Sequence, residues 1–409
     1  MDARGGEAPR KALARAFKTL IAAAALAAYV AGALAFARGT TYVPLYKSAG
    51  GAHVSYARAR VLEVESETID SEAGLTTGYQ DLRARLLEGE KAGAVVELRN
   101  YLNYTTNVRL KAGQAFVAHV DFADSERFLV SVYSPDRGPV LLALALVFAA
   151  ALCGIGGRRG FRSLLGIGFT FVGIAFVFIP LLYRGASPAA AALAVTSITL
   201  CVSLALLGGL DAKTLSAMLG CLAGLAASAL AIAAFQALAG LSGYTTAESD
   251  ALLAIAGRGR LKVGELLFAA MLISSSGAVM DVAISIASAA NEVAVCDPLM
   301  PRLRIFRSGM RVGRDMMGTM ANTLILAFTG SSLNAIILIY SLERSSLQIL
   351  DSSAIAAAIL EALCGSLAVL ITVPAVAFVS AILLGPRRAG EGEAIWPARS
   401  SINRKLTRD

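Results

Sequence analysis

Residues 274–292 read SSSGAVMDVAISIASAANE, and they lie inside an apolar segment long enough to cross a bilayer. Successive residues of a helix are about 100° apart, which places the polar residues of this stretch on one narrow face. That face consists of Ser274, Gly277, Asp281, Ser285, Ser288 and Glu292. An ionised carboxylate near the bilayer centre costs at least about 2.5 kcal/mol. We therefore expect Asp281 to be buried against other helices, protonated, or in contact with water or a cation.

A second polar stripe follows on the next apolar segment, 316–340, which reads MMGTMANTLILAFTGSSLNAIILIY. The residues on this face are Asp315, Gly318, Thr319, Asn322 and Thr329. Two consecutive helices with polar stripes predict a polar seam between them. The alternative is that the Ser, Thr and Gly positions only hold a bundle together, through hydrogen bonds worth about 0.6–2 kcal/mol each. Asp281 favours a function, because Asn or Ser would fill a structural role at lower cost.

The seam gives a set of candidate residues for a solute or ion pathway. They are Ser274, Asp281, Ser285, Glu292, Asp315, Thr319, Asn322 and Glu361. Glu361 is the second acid within an apolar segment. Thr196, Thr199 and Ser203 also share a helix face, and they either extend a hydrophilic path or hydrogen-bond back to their own helix.

Residues 301–315, PRLRIFRSGMRVGRD, separate the two stripes and predict a short helix after Pro301 that lies in the membrane interface. Its arginines are candidates for contact with anionic lipid headgroups. They are Arg304, Arg307, Arg311 and Arg314. A cytoplasmic anion-binding or phosphate-binding site is the alternative interpretation.

Composition identifies the class of protein. The 409-residue chain is 56% hydrophobic with a mean hydropathy of +0.65, which is typical of a multi-span membrane protein. Its formal charge of +8 lies in short segments between apolar spans, so nucleic acid is excluded as a partner. The five cysteines lie in or beside these spans, and the two histidines are isolated. We therefore expect no disulfide framework, no metal site, no cofactor and no enzyme activity.

Hydropathy predicts an all-α polytopic bundle of about eight transmembrane helices, each near the 20 residues that a bilayer requires. They span residues 17–36, 139–156, 161–182, 189–209, 215–240, 264–290, 316–340 and 354–384. Most basic segments then lie on one side, which predicts cytoplasmic termini. Arg258, Arg260 and Lys262 oppose this arrangement.

Four domains follow from this pattern. Residues 1–37 are a basic cytoplasmic N-terminus with the first helix, which is either an uncleaved anchor or a cleavable signal ending near Ala35-Phe36-Ala37. Residues 38–138 form a small extracytoplasmic β-rich domain, with an OB-type barrel as one form that its short strands can take. Residues 139–386 form a seven-helix membrane domain, and 387–409 form a basic cytoplasmic tail.

The predicted strands of the β-rich domain are short apolar or alternating runs between turn residues. They are 53–64, 80–87, 94–98, 108–110, 115–120 and 128–133.

The chain resembles the YibE/YibF family of bacterial multi-pass membrane proteins. The resemblance rests on GAVMDVAISIASAANEV (277–293), FRSGMRVGRDMMGTMANTLILAFTGSSL (306–333) and LAGLSGY (238–244). It implies a location in the bacterial inner membrane, and it brings no established activity.

Two functions remain open. The chain is either a transporter or permease that uses the polar seam, or a non-transporting envelope sensor or scaffold whose outer domain recruits a partner. The expected partners are the lipid bilayer, a small solute or ion, and a second copy of the chain or another envelope protein.

Overall fold

The computed structural model describes residues 27–42, 53–72, 75–102, 107–122, 128–245, 249–257, 260–341, 348 and 351–386. The basic N-terminus, the start of the first predicted span and the basic tail lie outside these residues. The chain divides into two compact units, 44–160 and a larger one that joins 1–43 to 161–409.

Ten helices are named in chain order within the described residues. They are α1 (Ala27–Arg38), α2 (Gly138–Val172), α3 (Ile179–Tyr183), α4 (Pro188–Gly208), α5 (Ala212–Ala239), α6 (Ser249–Ala256), α7 (Leu266–Cys296), α8 (Arg302–Ser331), α9 (Leu333–Ser341) and α10 (Ser353–Leu384). A π-helical segment, Gly173–Phe178, joins α2 to α3.

Five stretches in the described residues are long and apolar enough to cross a membrane. They are Gly138–Tyr183, Pro188–Gly208, Ala212–Ala239, Val263–Cys296 and Ser353–Leu384. The second and third predicted spans fall within the first of these stretches. They are separated by a break at Gly157, where φ is 53° and ψ is −129°. Gly160 lies so close to Leu152 that a Cβ on Gly160 would be 1.9 Å from the carbonyl oxygen of Leu152. The chain therefore turns sharply between these two residues.

The seventh predicted span, 316–340, is not among these five stretches. The structure places α8 and α9 there, separated at Ser332. The prediction of a short interfacial helix after Pro301 was correct about its start and wrong about its end, because α8 continues to Ser331. The arginines and the polar stripe are therefore successive parts of one helix.

Small residues allow the helices of the larger unit to pack closely. A Cβ on Gly220 of α5 would lie 2.0 Å from a methyl of Val376 on α10, and one on Gly224 would lie 1.9 Å from the hydroxyl of Thr372. A Cβ on Gly313 of α8 would lie 2.2 Å from a methyl of Val373 on α10. Only glycine permits such approach between helices. The spacing Gly220-x-x-x-Gly224 is typical of helices that pack closely.

The β unit contains one curled antiparallel sheet of five strands. They are β1 (His53–Glu72), β2 (Leu75–Leu86), β3 (Val95–Leu102), β4 (Ala115–Phe122) and β5 (Phe128–Pro135). The strand order is β3-β2-β1-β4-β5, and the outer strands β3 and β5 contact each other without a hydrogen-bonded ladder. Two register shifts in β1, near Val61 and Val64, help the sheet to curl.

Residues 108–110 do not form the strand that was predicted, although Leu110 is buried as a strand residue would be. The side chain of Gln80 replaces a neighbouring strand, since it accepts from the Leu110 amide at 2.9 Å and donates to its carbonyl at 3.0 Å. Asn100 donates to the carbonyl of Val108 at 2.8 Å. Two buried amides thus satisfy a backbone that lacks a ladder.

Candidate functional site

The polar stripe of α7 lies on the outer surface of the chain. Val282, Ala283 and Ile286 on the opposite face are fully buried in the helical core. The stripe residues Ser274, Gly277, Asp281 and Glu292 are exposed, and Ser285 and Ser288 are half-buried. The apolar face of the helix therefore makes its contacts with the rest of the bundle.

The stripe of α8 behaves in the same way. Its buried residues are Ile305, Gly309, Gly313 and Leu324. The polar residues Asp315, Gly318, Thr319, Asn322 and Thr329 are exposed, as are Arg304, Arg307, Arg311 and Arg314. At 100° per residue, Arg304, Arg311, Asp315 and Asn322 lie on one face, opposite the buried one.

Few of the candidate pathway residues contact one another. Ser274 of α7 donates a hydrogen bond of 2.5 Å to Glu361 of α10, which joins two predicted candidates. In the described residues, no hydrogen bond or ion pair reaches the carboxylate of Asp281. The hydroxyls of Ser285 and Thr319 bond to carbonyls of their own helices.

The two stripes are level with each other along the bundle. Cβ atoms on Gly309 and Gly313 of α8 would lie 3.4 and 3.1 Å from Ile286, so this residue of α7 lies level with the point midway between them. The helices are consecutive and antiparallel, and each rises 1.5 Å per residue. Asp281 is therefore level with Asp315, within about one residue, and Glu292 is level with Arg304.

A cavity of about 160 Å³ lies beside the α7 stripe, between the end of α2, α4 and α7. Its lining residues are Thr170, Ile174, Val195, Thr196, Thr199, Leu200, Ser203, Ile273, Ser276, Gly277 and Met280. Gly277 belongs to both the cavity and the stripe, and Asp281 lies one helical turn beyond it. The sequence signal for this cavity was the shared face of Thr196, Thr199 and Ser203.

The hydroxyl groups at this cavity differ in what satisfies them. Those of Thr170 and Ser276 bond to carbonyls of their own helices. The hydroxyl of Ser203 is buried and has no hydrogen-bond partner in the described residues, and the same holds for Thr214 and Ser380, which do not line the cavity. A buried unsatisfied hydroxyl costs roughly 1–3 kcal/mol, a cost that a water or a polar guest removes. The cavity is large enough, because one water needs about 10–15 Å³.

An irregular helical segment lies next to the cavity. Gly173 begins the π-helical turn, and a Cβ there would lie 3.1 Å from the Tyr29 hydroxyl and 3.3 Å from the Thr199 hydroxyl. α1 therefore contacts this region, and the ring of Tyr29 stacks on Phe169 at 4.2 Å. Single π-turns occur frequently at functional sites, because they redirect side chains and free backbone groups.

Other acids have structural positions. Glu265, just before α7, accepts hydrogen bonds from Ser187 and from the amide of Ala189 at the start of α4. This carboxylate satisfies free amides at a helix N-terminus, where negative charge is favourable. In the described part of the chain, no three His, Cys, Asp or Glu side chains come together as a metal site would require.

The fold and the exposed apolar helices define a multi-span membrane protein with a separate β unit. A family profile described as YibE/F-like protein matches residues 144–386, more than half of the chain. The chain therefore belongs to the YibE/F-like family, as its motifs indicated. No curated protein and no solved structure matches it.

Proposed function

We propose that the chain transports a small polar solute or an ion across the bacterial inner membrane. The cavity between α2, α4 and α7 supports this proposal, and the five hydroxyl-bearing side chains on its wall are the observation that carries it. A helix bundle that serves only as an anchor does not need a cavity with polar groups on its wall. In a pathway, each water or solute that passes forms hydrogen bonds with these groups.

Asp281 is the central ionisable residue of this proposal. It lies one turn from the cavity residue Gly277, and no neighbour in the described residues neutralises it. A carboxylate at that depth is retained where it binds a cation or exchanges a proton. Glu361 and Ser274 extend the polar surface toward the outer end of the bundle, and Asn322 and Thr319 are its polar neighbours on α8. Asp315 is level with Asp281 on α8, and Glu292 belongs to the cytoplasmic mouth.

The membrane arrangement of the proposal has eight spans with both termini in the cytoplasm. α1 belongs to the first span, and the two parts of α2 on either side of Gly157 form the second and third. α8 and α9 form the seventh span, although its polar stripe lowers its hydropathy. Arginines 302–314 then lie at the cytoplasmic headgroups, in agreement with the positive-inside rule.

Proteoliposomes test the transport proposal. The trapped dye pyranine would report proton entry when a potassium gradient and valinomycin impose a membrane potential. We expect flux with the wild type and none with Asp281→Asn, because the amide keeps the shape and hydrogen bonding but removes the charge. Glu292→Gln is the matched control with a milder effect, since that site lies eleven residues, about 16 Å along the helix, nearer to the cytoplasmic headgroups and water. Full flux in Asp281→Asn at equal protein level would remove Asp281 from the mechanism.

A second candidate function is an envelope sensor or scaffold. It is favoured by an exposed aromatic cluster on the β unit, where Tyr56 packs against Tyr133 at 5.0 Å and His119 at 5.4 Å. The strand order, with β3 and β5 in contact, is compatible with a partly open OB-type barrel, a fold that often binds ligands on its sheet. If the chain is a sensor or scaffold, substitution of Tyr56 by Ala would abolish that function, while Asp281→Asn would leave it intact.

A further inference from the structure

We propose that the exposed stripes of α7 and α8 are covered in the membrane by the same stripes of a second copy of this chain, related by a twofold axis along the membrane normal. This inference does not depend on transport. It follows from the position, the level and the charge of the stripe residues.

The first step is the need for a cover. Asp281, Asp315 and Asn322 are exposed on helices whose opposite faces are buried in the bundle. Hydrocarbon cannot satisfy a carboxylate or an amide, and residues of this kind in membrane helices nearly always face protein or water. In the described residues, no other helix of the chain covers these faces.

The second step is symmetry. The basic segments orient every copy in the same direction across the membrane, so two copies can be related only by an axis along the membrane normal. Such an axis preserves depth. Residues that are level within one chain are therefore level across the interface. The α7 stripe of each copy then meets the α8 stripe of the other, so the same contact occurs twice.

The third step is complementarity at each level. Glu292 of one copy is level with Arg304 of the other, and these side chains carry opposite charges. Ser285 of one copy is level with Arg311 of the other. The Arg311 side chain is long enough to reach Asp281, which lies one helical turn further from the cytoplasmic end. At the outer end Ser274 is level with Asn322. Each of these pairs joins a donor to an acceptor. Asp281 is also level with Asp315 of the other copy, and Arg311, which is one turn from both, supplies the positive charge between these two carboxylates.

The charges exclude a random association of these faces. An arrangement in which α8 met α8 of the other copy would leave Glu292 without Arg304 and would bring Arg311 of each copy toward the same arginine of the other. Like charges in contact cost several kcal/mol and disfavour that arrangement. The charged pair of Glu292 and Arg304 at the cytoplasmic end and the polar pair of Ser274 and Asn322 at the outer end therefore favour one dimer geometry.

Cysteine cross-linking tests this geometry. Two differently tagged copies without the native cysteines would be expressed together, one with Glu292→Cys and the other with Arg304→Cys. We expect a disulfide-linked heterodimer after mild oxidation in native membranes. The matched control replaces Glu292→Cys with Leu215→Cys, which lies exposed at the same end of α5. Equal linking in both combinations, or none in the first, would overturn the proposal.

A charge exchange tests complementarity independently of cysteine chemistry. Glu292→Arg should lower co-purification of the two tags roughly tenfold, which corresponds to about 1.4 kcal/mol. The double variant Glu292→Arg with Arg304→Glu should restore it, which also shows that the single variant still folds. Failure to restore it would contradict the pairing. Loss of co-purified anionic lipid in Arg304→Gln, with unchanged co-purification of the tags, would assign Arg304 to lipid headgroups and reject its pairing with Glu292 across the interface.

Discussion

The close approach of α5 to α10 gives a prediction whose size follows from the structure. In Gly220→Ala, the new methyl would lie 2.0 Å from a methyl of Val376 and 3.0 Å from its Cα atom. Carbon atoms in contact are about 3.5–4.0 Å apart. Rotation of the Val376 side chain removes the first overlap but not the second, so the two helices must separate.

This separation should destabilise the chain by about 1–3 kcal/mol, as overpacked cores do. The gain in helix propensity from Gly to Ala, about 1 kcal/mol, works in the opposite direction. Gly168→Ala is the matched control, because a Cβ at Gly168 of α2 meets nothing within 4 Å. It should equal or exceed the wild type in stability.

The assay is unfolding in mixed micelles with increasing dodecyl sulfate, followed by circular dichroism. Gly220→Ala should unfold at lower detergent fraction than the wild type, and Gly168→Ala should not. If Gly220→Ala unfolds at the same fraction as Gly168→Ala, the packing of α5 on α10 is not as close as described and the reasoning fails.

Further predictions concern the β unit. Gln80→Leu should cost about 1–3 kcal/mol by leaving the Leu110 amide and carbonyl unpaired, and faster hydrogen exchange at residues 107–112 would reveal it. Hydrogen bonds and charge from Arg99 and Arg109 lower the pKa values of the Asp81 and Glu67 carboxyls. The stability from these pairs should therefore be present above the ordinary carboxyl pKa of about 4 and lost as pH falls through the lowered values. Acid titration of the unfolding transition checks this, and Asp81→Asn should flatten it.

Much of the fold follows from local patterns in the sequence. Apolar length predicted most helices, and alternation with glycine-containing turns predicted five of the strands. The segment 108–110 was misassigned because its apolar pattern reflects burial, while its hydrogen bonds come from Gln80, which is distant in sequence. The end of α8 was missed because arginines suggested an interface, although nothing between Arg314 and Met316 breaks a helix.

The candidate site shows a different limit. Helical periodicity identified the stripes of Asp281 and Asn322, because polar residues at spacings of three and four are visible in one sequence. It could not show which side of each helix packs against the bundle. That depends on the contacts of Gly309 and Gly313 with Ile286 and Val373, and so on the partner helices. The cavity at Ser203 likewise requires three helices to come together.

The central claim is that water and a polar solute enter the cavity between α2, α4 and α7. Thr199→Cys in a chain without native cysteines places a thiol on its wall, and membrane-impermeant methanethiosulfonate reagents can be applied from either side of oriented vesicles. The account predicts modification of Thr199→Cys from the outer and the cytoplasmic side, and none of Leu204→Cys, which is fully buried on the same helix. If Thr199→Cys is unreactive from both sides, the cavity is dry, and its hydroxyls serve packing rather than transport.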